Sequence, residues 1–358
     1  MGKNFDDLKL AVEMLSGGTN TVIFDDLGMP SVMVRFPKLT RAELVTGDTN
    51  DAHYAFLVDS VEQAQAYISK YQNIVANERA YSLPMQDPRA NITFDAALTA
   101  CRKKGEGWGV QPFSLWSAIA LWCKKNNTQP HGNNNYGRDV ANTWEKGVVS
   151  YTYLDGGVTR DGRTATGSGP ASWYHDGTYA GIADLNGNVW EWCAGMRLVE
   201  GELQVIPYAN SILATCDMGV NSTMWKAIDA DGNYVEPGST GTLKLDYVSN
   251  HWRWTTGDLT SQSDSSRNAA FASTDCASGV SDSAKRLLRS LTLLPEDSDT
   301  DYGGDYFYAN NGAAERFPAR GGGWYFGAYA GVFATALDSA RSASGTGLGF
   351  RSAFYGTL

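Results

Sequence analysis

The sequence predicts a loop-rich fold of mostly β or α+β class, on three observations. Glycine reaches 39 of 358 residues, tryptophan reaches 11, and charged residues make up only 19%. Average soluble domains carry about 25% charged residues, so tight turns and aromatic anchors replace long charged helices here. A length of 358 residues suits one large or two ordinary domains. Hydrophobic residues at 42% are ample for a core and exclude a disordered chain.

The first element is a helix over Phe5 to Ser16, with Phe5, Leu8, Val12 and Leu15 on one stripe and Gly17-Gly18 as its stop. Thr21 to Phe24 and Ser31 to Phe36 read as short strands around a Gly28-Met29-Pro30 turn. Residues 1–50 then form a small N-terminal appendage for attachment or packing, and 51–358 the main domain. Thr93 caps a helix carrying Phe94, Ala97, Leu98 and Cys101 on one face. Ser114 starts another, with Leu115, Ile119 and Trp122 at i, i+4 and i+7. Beyond residue 127 only Ser281 to Leu291 suggests further helical turns. Trp225 to Val235 reads as a hairpin turning at Asp231-Gly232, and its acids lack the end Glu of a calcium loop. Residues 255–305, rich in Ser, Asp and Thr, read as a long surface insertion.

Charge excludes several classes of function. With 29 basic against 39 acidic residues the net charge is −10, and no basic run exceeds Arg102-Lys103-Lys104. Nucleic-acid affinity needs clustered Lys and Arg to release counterions, so no nucleic-acid partner is expected. Phe113 to Cys123 is too short and polar to span a bilayer, so no membrane insertion is expected. The N-terminus places acids where a signal peptide needs a basic start, which implies synthesis in the cytoplasm. Cys101, Cys123, Cys193, Cys216 and Cys276 form no CxxC, and the four histidines are scattered. Neither a disulfide framework nor a structural zinc site is expected.

Residues 181–192 read GIADLNGNVWEW, Arg320 to Trp324 read RGGGW, and Gly349-Phe350-Arg351 follow. In Trp190-Glu191-Trp192, strand alternation puts both tryptophans on one face, in a core. Gly187, Gly321 and Gly322 suit positions without room for a Cβ or with positive φ. These motifs, in this order, resemble the formylglycine-generating enzyme superfamily, with Pro112 to Cys123 standing where that family has a tryptophan-containing helix. The resemblance covers most of residues 53–358. It implies an α+β, C-type lectin-like fold of the formylglycine-generating-enzyme variety, with loop-rich insertions. That enzyme uses two copper-binding cysteines, and aligning on the RGG strand puts them at Phe326 and Gly331. No cysteine occurs after Cys276, so the thiolates that Cu(I) requires are missing and no enzyme activity is implied.

Arg320 to Arg351 reads RGGGWYFGAYAGVFATALDSARSASGTGLGFR. This resembles the frame RGG-W--GA-AGVFA--L--ARS-----GFR of variable proteins of diversity-generating retroelements, whose C-terminal segment is rewritten at adenines. The residues assigned to variable positions are Gly323, Tyr325, Phe326, Tyr329, Thr335, Ala336, Asp338, Ser339, Ser342, Ala343, Ser344, Gly345, Thr346 and Gly347. All are reachable from Asn or Ser/Thr codons by changing adenines, and Lys, Glu, Gln and Met are absent from the segment. The resemblance implies a non-catalytic, phage- or prophage-encoded protein, displayed on a virion or a cell surface. Its ligand is then a protein or glycan on a cell. Two other readings compete: a relative of the oxidase, and a purely structural virion or adhesin module.

Tyr325, Phe326, Tyr329, Asp338, Ser339, Ser342, Ser344 and Thr346 are expected to form one exposed ligand-binding face, over buried Trp324, Val332, Phe333, Leu337 and Phe350. Tyr and Phe give contact area with few rotatable bonds, and Ser and Thr give adaptable polar contacts. No cofactor is required. The enzyme family's calcium site, carried over, implies ligands from Asp184, Gly187, Val189 and Glu191, two carboxylates and two carbonyls. The metal-free alternative has Asp184 capping its turn and Glu191 accepting N–H bonds.

Overall fold

Two sheets meet at the C-terminal segment. The computed structural model describes residues 2–296 and 299–357. In space, the six-stranded sheet runs Arg267–Ala270, Tyr306–Ala309, Gly331–Ser339, Phe317–Gly321, Trp190–Trp192, Leu348–Phe350. Its centre is antiparallel, with Ala319 opposite Ala336. Two pairings are parallel and join distant parts of the chain, Tyr308 with Ala336 and Trp190 with Leu348. Gly331–Ser339 is buried over its first seven residues, as its apolar composition requires.

The five-stranded sheet runs Asn20–Phe24, Pro30–Pro37, Gln65–Ser69, Ser352–Phe354, Trp108–Val110. It corrects the expected boundary at residue 50. Val34 pairs with Ile68 and Ile68 with Ala353, so both strands of the supposed appendage belong to a sheet completed by the chain's end. The N-terminal helix Gly2–Leu15 packs beside the strand Asn20–Phe24. Its apolar stripe is not buried, since Leu8 and Leu15 are exposed, and the Phe5 side chain lies outside the described residues. Glu13 ties it to Thr21 and Arg35, and Gly17 and Gly18 end it with positive φ.

Helix Phe94–Arg102 is capped by Thr93, whose hydroxyl accepts from the Ala96 N–H, and buries Phe94, Ala97 and Cys101. Helix Phe113–Lys125 begins at Pro112 rather than at Ser114, whose hydroxyl donates to the Tyr208 carbonyl instead. The hairpin forms with Lys226–Ile228 against Tyr234–Val235, and the Asp229 carboxylate accepts from the Asp231 and Asn233 N–H groups. Residues 255–305 are not simply a surface insertion. They supply the edge strand Arg267–Ala270 and the helix Asp282–Ser290, which buries Leu287 and Leu288. Among the described residues no helix is long and apolar enough to cross a membrane.

Candidate functional site

A pocket of about 430 Å³ opens on the six-stranded sheet, above the core cluster that holds Trp192, Phe317 and Phe350. Its floor is Ala319, Ala336 and Leu348, with Trp190 and Tyr308 beside them. Tyr325 and Phe326 form one wall, the turn Gly345 to Gly347 forms another, and Asp338 and Ser339 stand at the edge. Strand alternation puts Ala336 and Asp338 on the same face, and two alanines where larger residues could stand leave the volume. The rings hold one another edge to face. Trp190 and Phe326 lie 5.1 Å apart at 89°, and Tyr308 and Phe326 lie 5.8 Å apart at 88°. Such pairs add stabilisation beyond area burial and fix the rings without further support. Burial holds the phenols of Tyr308 and Tyr325 above their ordinary range, so both remain neutral. Asp338 accepts from the Ser266 hydroxyl at 2.5 Å.

The expected binding residues divide into four groups. Tyr325, Phe326, Ala336, Asp338, Ser339, Gly345, Thr346 and Gly347 line the pocket. Tyr329, Ser342 and Ser344 are exposed but do not line it; Tyr329 packs on Tyr306, with centroids 4.0 Å apart and the rings tilted by 36°. Ala343 is half-buried against the core cluster. Gly323 and Thr335 are the corrections. Gly323 is buried beneath Phe326 and Trp190. Thr335 is 0% exposed and donates to the Phe333 carbonyl at 3.1 Å, because odd positions of its strand point into the core. Of the eight residues expected on one face, five line the pocket and Tyr329, Ser342 and Ser344 are exposed outside it. The frame residues Trp324, Val332, Phe333, Leu337 and Phe350 are buried.

Two pocket residues lie outside those read from the sequence as binding residues, Trp190 and Tyr308. Trp190 was assigned to the core, and its indole serves both places. The alternation in Tyr306-Phe307-Tyr308-Ala309, with Phe307 and Ala309 buried, was the available signal for Tyr308.

The other side of the Trp190–Trp192 strand carries Glu191 into a fully buried polar hub. Arg351 clamps it bidentately, Nε to Oε2 at 2.9 Å and Nη2 to Oε1 at 2.8 Å. The remaining guanidinium hydrogens go to the carbonyls of Ser69, Lys70 and Ala183. Gln111 donates to Glu191 as well. The GFR and WEW motifs are thus one interaction.

The hub also bears on how well these residues fit calcium. Oxygens of Asp184, Gly187, Val189 and Glu191 do converge, but on the side-chain nitrogen of Gln72. Gln72 Nε2 lies 3.1 Å from the Asp184 carbonyl, 3.5 Å from that of Gly187, 3.3 Å from that of Val189, and 3.0 Å from Glu191 Oε1. Asn188 donates to Gln72 Oε1 at 2.8 Å, which fixes the amide with its nitrogen toward the oxygens. The Asp184 carboxylate turns away to accept from the Gly167 N–H at 2.7 Å, and burial pushes it up to about 6. A hard cation needs several oxygens at 2.3–2.6 Å and tolerates no amide nitrogen among them. The residues as arranged do not fit calcium. Among the described residues no group of three or more His, Cys, Asp or Glu is placed to hold a metal ion.

Phe326 and Gly331, the positions aligned with copper-binding cysteines, are also incompatible with that role. Phe326 is a pocket wall. A Cβ on Gly331 would stand 2.1 Å from Asp305 Oδ1, and the backbone φ there is +156°. Asp305 is fully buried, which raises its carboxyl well above the usual range, and its Oδ2 accepts the Phe333 N–H at 2.7 Å.

Fold and site together define an α+β protein with an open aromatic pocket set on a buried frame that the Glu191–Arg351 pair ties together. No protein-family model matches the chain, and no curated protein matches it in sequence. Among solved structures it is similar to Treponema denticola variable protein 1, at 12% identity and a TM-score of 0.34, over 94% of this chain and 98% of that one. It is also similar to the U1 and P3c variants of Major Tropism Determinant, each at 11% identity and a TM-score of 0.31, over 94% of this chain and 71% of theirs.

Proposed function

We propose that this chain is a non-catalytic receptor-binding or display protein with a C-type lectin-like fold, whose pocket is diversified by a retroelement. One observation carries the reading. Eight of the twelve residues lining the pocket stand at positions between the invariant frame residues, and the frame's own apolar residues pack beneath them. An arrangement that concentrates replaceable side chains on a cavity, over an unchanging support, suits recognition of changing ligands. In this reading the protein is phage- or prophage-encoded, acts on a virion or cell surface, and meets a protein or glycan of another cell. The oxidase alternative loses support where it needs thiols, since Gly331 has no room for a side chain.

Sequencing many natural copies of the gene with their 3′ flanking DNA tests this. A near-copy of codons 320–351 is expected nearby, with adenines at the altered bases. Substitutions should concentrate at Tyr325, Phe326, Asp338, Ser339 and Thr346 and spare Arg320, Trp324, Phe350 and Arg351. Equal variation of pocket and frame codons would overturn the reading.

A further inference from the structure

We infer that the pocket, in its present sequence, takes a cationic side chain, lysine or arginine, presented by a protein ligand. The inference rests on the pocket being the ligand site. Four aromatic rings, those of Trp190, Tyr308, Tyr325 and Phe326, line one cavity, and no Lys, Arg or His lines it. Among the described residues Asp338 is the one carboxylate at its edge. Ser266 occupies Oδ2, and Oδ1 has no hydrogen-bond partner among the described residues.

Arg163, which reaches a pocket residue, and Arg341, which follows the pocket strand, are already paired. Arg163 donates Nη1 to the Thr346 carbonyl at 2.7 Å, but its Nη2 and Nε bind Asp87 at 2.7 and 3.0 Å. Arg341 is held by Glu315 and Asp95. The cavity therefore presents ring surfaces and an incompletely paired carboxylate, with no compensating cation. Aromatic surfaces attract organic cations most strongly where water is displaced. The aliphatic floor of Ala319, Ala336 and Leu348 suits the methylene stem of such a side chain. A sugar would also find stacking rings and the polar edge of Asp338, Ser339 and Thr346, but it would leave the Asp338 charge without a counter-charge. A glutamate side chain would meet the Asp338 carboxylate. The net charge of −10 further steers basic ligands toward the chain.

Ligand-detected NMR titration of the whole chain with small probes tests the assignment. The probes are N-acetyl-lysine methylamide, N-acetyl-arginine methylamide, the uncharged N-acetyl-norleucine methylamide, and N-acetylglucosamine. At least one cationic probe should bind about tenfold more tightly than norleucine, within the range of a desolvated cation–π contact. Asp338→Asn should remove most of that advantage without moving the melting temperature, and Tyr325→Ala should weaken every probe. Norleucine or the sugar binding as well as the cations, with sensitivity to Tyr325→Ala, would overturn the cation assignment and leave the pocket as the ligand site. No saturable binding by any probe would overturn both.

Discussion

The two faces of the Trp190–Trp192 strand are built on opposite rules. Glu191, on the inner face, meets Arg351, Gln72 and Gln111, and nothing in that hub is exposed to water. Trp190, on the outer face, meets Phe326, Tyr308 and an open cavity whose edge is lined by short polar side chains and glycine. The hub ties four distant segments together through paired charges and carbonyls. The pocket's aromatic side chains are held by ring packing, and its Gly345 to Gly347 wall by backbone carbonyls that accept from Asn91, Arg163 and Trp190. The contrast teaches how one strand can be fixed in place and still carry a changeable surface: specificity of fold sits on the buried side, so substitutions on the other disturb few obligate partners.

The largest effect should come from breaking the hub. Arg351→Met leaves the Glu191 carboxylate buried and three backbone carbonyls without their donors. It should lower unfolding free energy by about 3–5 kcal/mol, the range for one partner removed from a buried ion pair. Urea denaturation measures this, and a loss under about 1 kcal/mol would show that the hub does not act as a unit. A smaller effect is expected at Gln72. Replacing it with alanine withdraws the amide from the Asp184, Val189 and Glu191 oxygens and should cost about 1–3 kcal/mol, the penalty for stranded buried polar groups. Neither a chelator nor added calcium should move the melting temperature of the unmodified chain. A rise with calcium would show that the ion displaces the amide, and the comparison would need a metal on its buried side.

Local rules made part of this legible. Thr93 and Ser281 cap helices as their residue types predict, and the tryptophans of WEW share a face because strands alternate. Gly187 stands where a Cβ would lie 2.1 Å from the Asn133 carbonyl oxygen, a crowding the motif's glycine anticipated. Frame spacing found eight pocket residues but treated every position between frame residues alike. Period-two alternation in Gly331–Ser339 separates them, sending Thr335 inward and Ala336 outward. What local rules could not reach was set by pairing across long stretches of chain. Tyr308 enters the pocket through a parallel register with Ala336. Gln72 lies more than a hundred residues from the oxygens it bridges. Residues 20–37 read as an appendage because their partner strands begin at Gln65 and Ser352.

The smallest effect on stability is the most direct test of the account. A variant carrying Tyr325→Ser, Asp338→Asn, Ser339→Ala and Thr346→Ala together changes four pocket residues and no hub residue. Substitutions away from buried networks usually fall within about 0.5 kcal/mol each, so its urea midpoint should stay close to that of the unmodified chain, far above that of Arg351→Met. Adsorption of the labelled protein to ligand-bearing cells should be lost. A midpoint lowered as far as that of Arg351→Met would contradict the account, because the pocket residues would then be holding the fold together rather than resting on it.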